Sequence, residues 1–277
     1  MKYANLHLHS NHSDAMLTPE QLVLIGKSLD YHALALTDHE TDSGVKDMMH
    51  HAKAEGGVEV LAGVEFYGTF EGYNLHLTAL DYDMDNPAFR AFVKERVDRR
   101  CEKTRKLVEY GTSIGVIEGI TYDDVVALNP DGAWLCIDSV MNAYRLKKML
   151  PPANLRAEVF RSEYAKSLEP QQPTAEEVIK VIRGASGVAT LAHPIHQTHL
   201  IPKLVDVGLN GVEISHPDHI ENTSYLAVEM AKAYNLYRSG GTDHTGVMSG
   251  CGGKHAVPAL QGITEEEFYI LKERRLG

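Results

Sequence analysis

The sequence predicts an α/β fold with a parallel sheet, and at this length a barrel is the leading arrangement. Three observations predict it. Short apolar runs alternate with helical patterns over the first 85 residues and again from residue 174. His, Asp and Glu residues gather at the ends of those apolar runs, where parallel barrels carry their active sites. At 277 residues the chain is long for one ordinary domain, but a barrel plus an insertion fills it and buries a sizeable core.

The elements follow in order. Residues 3–7 read as a strand. Thr18-Pro19-Glu20-Gln21 opens a helix, with Thr18 as N-cap, Pro19 at the first helical position and Gln21 completing a capping box. Residues 33–37 form a wholly apolar strand, 44–54 a helix and 58–65 a strand. Residues 73–81 alternate Leu75, Leu77 and Ala79 with Asn74, His76 and Thr78, as a strand does. From 86 to 173 the text turns helical and rich in Arg, Lys and Glu, with no clear strand. This predicts a helical insertion or cap between two barrel portions, 1–85 and 174–277. The α/β rhythm resumes with a capping box at Thr174 and Glu177. Strands at 188–192, 212–215 and 236–239 and helices at 200–207 and 221–235 follow, and Thr264 with Glu267 caps a last helix.

Composition narrows the function. Hydrophobic residues make up 43% and charged residues 23%, which is globular and not disordered. The net charge of −11 argues against a broad basic surface that grips nucleic acid, so no stable nucleic-acid partner is expected. It leaves a small phosphorylated substrate open, because bound cations supply positive charge locally. Cysteines at 101, 136 and 251 have no CxxC spacing and favour a reducing compartment. With no run of 18 apolar residues and no signal-peptide core at the N-terminus, a cytoplasmic location is expected, with no membrane partner.

The 15 histidines carry the chemistry. His7 and His9 close the first strand, and residues two apart face the same side. Asp38 and His39 follow the second strand, Glu65 ends the third, and His76 lies inside the fourth. His193 follows the strand at 188–192, and Asp243-His244 follows the last strand through Gly240-Gly241. Imidazole and carboxylate without thiolate suit Zn²⁺, Mn²⁺ or Fe²⁺. With Asp14, the donors His7, His9, His39, Glu65, His76, His193 and Asp243 exceed what one catalytic ion needs. A Glu can bridge two ions that together activate water for hydrolysis. No Walker loop, GxGxxG fingerprint or catalytic triad competes.

The motifs H-L-H-S-x-x-S-D, L-T-D-H-E-T, G-V-E, N-L-H, A-H-P and G-T-D-H, in that order, resemble the PHP family, the polymerase and histidinol phosphatase metallohydrolases. The likeness runs to about residue 85 and from about 174 to 255, and within the family it is to the small nucleotide phosphoesterases with a helical insertion. The resemblance implies a distorted (β/α)7 TIM-like barrel with two or three divalent ions. It implies His7, His9 and Asp243 on the first metal and Glu65 bridging first and second. His76 and His193 complete the second, and Asp14 and His39 belong to the third. The family commonly reads Asp-x-His at the last motif, whereas this chain has Asp243-His244-Thr245. Gly240 and Gly241 allow the chain to turn before this motif, so His244 is expected at the third metal beside Asp14 and His39.

The same resemblance implies that His219, or else His216, faces the substrate phosphate, and that Arg145 reaches it from the insertion. His196 and His199 could line the same rim, and Lys254 sits in a glycine-rich stretch at 249–253 that could cover it. His12, His32, His50, His51 and His255 are expected at the surface or behind the ligands. The implied reaction is phosphoester hydrolysis of a small molecule, a nucleoside monophosphate or related nucleotide, by a metal-bridging hydroxide. Glu65, Asp14 and His39 are its catalytic candidates. An amidohydrolase-type carbon–nitrogen hydrolase and a non-catalytic metal-binding module are the alternatives.

Overall fold

A computed structural model describes residues 2–220, 222–246, 255 and 261–276. The stretch at 249–253 and Lys254 lie outside these residues. The chain alternates β1 (Ala4–Leu8), α1 (Pro19–Ser28), β2 (Ala33–Leu36), α2 (Val45–Glu55), β3 (Glu59–Phe70) and β4 (Tyr73–Leu80). Then come α3 (Pro87–Ser113), α4 (Tyr122–Ala127), α5 (Ile137–Leu146), α6 (Glu163–Ser167) and α7 (Ala175–Gly184). It ends with β5 (Val188–Leu191), α8 (Ile201–Asp206), β6 (Gly211–Ser215), α9 (Thr223–Ala233), β7 (Tyr237–Gly240) and α10 (Glu265–Lys272). Among the described residues, no helix is long and apolar enough to cross a membrane.

Local chemistry starts the helices where the sequence places them. Thr18, Thr174 and Thr264 each accept a hydrogen bond from the backbone three residues on, and each forms a full capping box. The strands form one sheet in the order β1-β2-β3-β4-β5-β6-β7. It curls until the segment after β7 returns to β1, where the Asp243 N–H donates to the His7 carbonyl at 2.9 Å. Apolar side chains from strands and outer helices, such as Leu34, Val64, Phe66, Val178 and Leu204, pack into the main core. A second core, around Leu107, Ile117, Val140 and Val159, lies wholly within the segment between β4 and α7.

The sheet is not parallel throughout. β3 pairs antiparallel with β4, and β4 antiparallel with β5. Only Glu71 and Gly72 separate β3 from β4, at φ 48° and 84°. A parallel neighbour requires a crossover of a dozen or more residues, whereas two residues with positive φ make a hairpin. The hairpin matters for the site. Glu65 lies opposite Thr78 and Tyr67 opposite His76. Cross-strand partners share a face, so Glu65, Tyr67 and His76 all face the same side.

Gly241 marks the tightest approach. A Cβ there would sit 2.4 Å from both the backbone nitrogen and the Cβ of His7. Any side chain would push β1 away from the chain that carries Asp243.

Candidate metal centre

The C-terminal ends of β1, β2 and β5 and the chain after β7 converge on Glu65, midway along β3 and 1% exposed. Five imidazoles surround its carboxylate. His7 Nε2 and His9 Nε2 lie 3.4 Å away, His39 Nδ1 3.1 Å, and His76 Nδ1 and His193 Nε2 3.0 Å. Asp243 adds a second carboxylate, 2.9 Å from His9 Nε2 and 3.6 Å from His7 Nε2. Two compact groups result: His7, His9, Glu65 and Asp243, and Glu65, His76 and His193, with donor atoms in each within 4.8 Å of one another. Glu65 belongs to both.

These groups suit divalent ions. His7 Nε2, both ring nitrogens of His9 and His39 Nδ1 are buried without a hydrogen-bond partner. Unpaired buried polar atoms are costly, and so many around one carboxylate need a cation to face. Donors about 2.1 Å from a shared ion lie roughly 3.0–3.4 Å apart at octahedral or tetrahedral positions. The separations around Glu65 fall in that range.

Titration follows from the same crowding. Burial opposes a charge on Glu65, but His76, His7 and His39 outweigh it and hold the carboxyl well below its usual range. Burial likewise opposes a charge on His7, yet Glu213, Glu65 and Asp243 raise its pKa well above that of a free imidazole. His39 moves the same way: burial is again overcome, by Tyr67, Asp14 and Glu65. His76 goes the other way, because burial dominates and lowers it.

A second layer fixes the donors. Glu213, 1% exposed on β6, lies 3.1 Å from His7 Nδ1 and accepts the His193 N–H at 2.6 Å. It therefore orients two rings at once, leaving His7 Nε2 toward Glu65. His193 itself takes φ 27° and Asp243 φ 47°, sparsely occupied conformations for residues with a side chain. Asp38 accepts hydrogen bonds from the Ser10 N–H at 2.7 Å, the Ser10 hydroxyl at 2.6 Å and the Ser13 hydroxyl, pinning the turn that carries Asp14.

Other residues named from the sequence fall in different places. Asp14 lies 3.5 Å from His9 Nδ1 and 3.6 Å from His39 Nε2. The grouping of His9, Asp14 and His39 thus borrows rings that also face Glu65. His244 does not join it, contrary to the expectation. The His9 N–H donates to the His244 carbonyl at 3.1 Å, so residues 243 and 244 run beside β1. His244 bridges to Leu8, which faces the side of β1 opposite His7 and His9, and cross-strand partners share a face. With Asp243 turned to the cluster, the His244 ring turns away, and its Nδ1 lies 2.8 Å from the His255 carbonyl oxygen.

His216 does not open onto substrate either. Its Nδ1 accepts the Asp218 N–H at 3.0 Å, so Nε2 carries the proton and donates to Asp243 at 3.2 Å. It braces Asp243 from behind and is 3% exposed. His219 retains a free valence: Nδ1 lies 2.7 Å from the Ser224 hydroxyl, and Nε2 has no partner. Burial pushes its pKa down to about 4, so the ring is neutral. Arg145 lines a narrow cleft with Asn11, Ser13 and Asp138, against the turn that carries Asp14. His196 and His199 are exposed, and the His199 ring packs edge-on against Tyr73.

One residue of the site, Glu213, is not among those named from the sequence. Glu213 had one visible signal, an acid inside an apolar strand, which must find a partner when buried. His255 is buried between two acids, 3.1 Å from Asp243 and 3.2 Å from Asp218. It stands behind Asp243, one of the two places expected for it.

The PHP domain family matches residues 5–226. A phosphoribosyl 1,2-cyclic phosphate 1,2-diphosphodiesterase from Eggerthella lenta is 28% identical over 87% of this chain and 94% of its own length. The 5'-3' exoribonuclease Rnm of Salmonella typhimurium is 26% identical over 86% of this chain and 84% of its own. A 3',5'-nucleoside bisphosphate phosphatase from Chromobacterium violaceum is 26% identical over 88% and 87%. A crystal structure from Bifidobacterium adolescentis, provisionally described as a metal-dependent phosphoesterase, superposes with a TM-score of 0.75 at 22% identity. It covers 99% of this chain and 96% of its own, and the likeness is one of fold.

A pH dependence follows for the chelator-stripped protein. The folded-state pKa values of His7 and His39 are raised, and that of His255 reaches about 9, since the acids beside it outweigh burial. A raised histidine stabilises fully below its unfolded pKa of about 6.5 and loses that stabilisation as pH climbs through the folded value. Thermal midpoints of the stripped protein should therefore fall between about pH 6.5 and 9. Added Mn²⁺ should stabilise increasingly over the same window, because metal binding displaces those protons. A stripped protein that grows more stable with rising pH would contradict this electrostatic picture.

Proposed function

The chain belongs to the PHP domain family, and we propose that it is a metal-dependent phosphoesterase acting on a small phosphorylated molecule, a nucleotide or a related ester. The observation that carries this reading is Glu65, one buried carboxylate shared by two groups of imidazole and carboxylate donors. In this reading His7, His9 and Asp243 would hold one ion and His76 and His193 a second, with Glu65 available to both. Bound divalent ions acidify water and neutralise charge on a phosphoryl group.

The chain's own residues do the rest. Glu213 and His216 hold His7 and Asp243 in place, which keeps the donors pre-formed. Asp14 and His39, 3.6 Å apart at the edge of the cluster, would take the proton from the attacking water and return it to the leaving oxygen. The neutral His219 offers Nε2 to a phosphoryl oxygen, and Arg145 offers its guanidinium from the side of the Asp14 turn. Residues 86–173 form the cap that selects the substrate. This part leans on the catalytic turns: the Trp134 N–H donates to the His12 carbonyl, and the Thr41 hydroxyl to the Gly132 carbonyl, both at 2.8 Å.

A carbon–nitrogen hydrolase is less well supported. That chemistry often bridges its ions through a carbamylated lysine, whereas here the residue common to both donor groups is Glu65. The exoribonuclease relative leaves an RNA end open as substrate, yet a net charge of −11 favours a small one.

A screen of phosphorylated metabolites with Mn²⁺, Zn²⁺ and Fe²⁺ added separately tests the proposal. Hydrolysis should require an added ion and vanish on treatment with a chelator. Glu65→Ala should abolish it and lower the bound metal below two ions per chain while the far-ultraviolet spectrum is kept. Full occupancy of two ions in Glu65→Ala would remove the bridging role. Arg145→Ala should lower kcat/KM about tenfold to a hundredfold, the worth of one charge-assisted contact. An unchanged kcat/KM would take Arg145 out of the site.

A further inference from the structure

Beside the metal centre lies a cavity of about 430 Å³. Its inner wall is His76 and Tyr67, and its outer wall is α3 of the insertion, with Arg96, Arg99 and Arg100, and Trp134. A volume of this order holds a small organic ligand. The wall's charges are not equivalent. Arg96 is buried and ion-paired with Glu40, and it also donates to Gln172. Glu169 is paired with Lys103, and Arg99 pairs with Glu95 on the surface. These partners neutralise one another.

Arg100 is different. Among the described residues it has no ion-pair partner, and its Nε is buried without a hydrogen bond. Its guanidinium lies 4.0 Å from the centre of the Trp134 ring. Trp134 in turn packs against Tyr67 at 6.0 Å and His39 at 5.3 Å. The cation thus sits over an aromatic platform that reaches the metal centre. In a chain of net charge −11, an unpaired and partly desolvated guanidinium on a cavity wall is a strong preference for an anion.

We propose that this cavity is a second anion subsite and that Arg100 is its cation. The substrate then carries two anionic groups: the scissile phosphoester at Glu65 and its donors, and a phosphate or carboxylate at Arg100. Arg100 acts as a specificity residue, since it meets the far end of the molecule and not the reacting atoms. The inference rests on the phosphoesterase reading for the identity of the first group only.

Trp134 is the single tryptophan, so its fluorescence reports on the subsite without turnover. Two matched pairs serve as probes: 3-phosphoglycerate against glycerol 3-phosphate, and fructose 1,6-bisphosphate against fructose 6-phosphate. They differ in the second anionic group, carboxylate in the first pair and phosphate in the second. In the Mn²⁺-loaded protein at least one doubly anionic probe should bind about tenfold to a hundredfold tighter than its partner, with a change in Trp134 emission. Arg100→Met, which keeps apolar packing on the indole, should erase that preference, and Arg100→Lys should restore part of it. Equal binding of both members of both pairs, or a preference that survives in Arg100→Met, overturns the subsite. Preference without hydrolysis of any ester would leave the subsite standing and sink the phosphoesterase reading; hydrolysis without preference does the reverse.

Discussion

One buried carboxylate organises this protein. Glu65 is taken out of water at the centre of the barrel rim and is faced by five imidazoles. A desolvated charge without compensation costs several kcal/mol, so the surrounding donors must share a cation or carry charge themselves. The rest of the architecture follows from meeting that demand. β1, β2 and β5 end where their histidines reach Glu65. The β3–β4 hairpin puts His76 on the same face, and the chain after β7 brings Asp243 back beside His7.

The second layer shows how much of the fold serves this geometry. Glu213 touches His7 and His193, His216 braces Asp243, and Asp38 ties down the turn of Asp14. Gly241 lets the closing segment approach His7 to a distance no side chain permits. The positive φ angles of His193 and Asp243 are local costs accepted at the same place. Among the described residues the orphaned ring nitrogens gather on this rim, while the capped helices and apolar strands beneath it obey ordinary rules.

That contrast explains what was legible in the sequence. Period-two runs and capping boxes are local signals, so the strands and the helices opened by Thr18, Thr174 and Thr264 could be read directly. His7, His9, Glu65, His76, His193 and Asp243 stood out as polar residues at or near strand ends, and the structure brings them together. The antiparallel hairpin was hidden because strands were read as alternating with helices, although only Glu71 and Gly72 join β3 to β4. His244 was misplaced because its direction depends on pairing with β1, far away in sequence. His216 looked like a phosphate contact until Asp218 and Asp243 occupied both its ring nitrogens. Arg100 and Trp134 lie 34 residues apart in the sequence, and an arginine on a charged helix reads as a solvated face until the indole beneath it is seen.

The central claim is that Glu65 bridges two ions, and magnetic resonance of the Mn²⁺-loaded chain tests it most directly. Two Mn²⁺ ions joined by one carboxylate are spin-coupled. The account predicts an exchange-coupled signal that appears at two equivalents of metal and is absent in Glu65→Gln. A spectrum of isolated, uncoupled Mn²⁺ at full loading of the wild-type chain would contradict it.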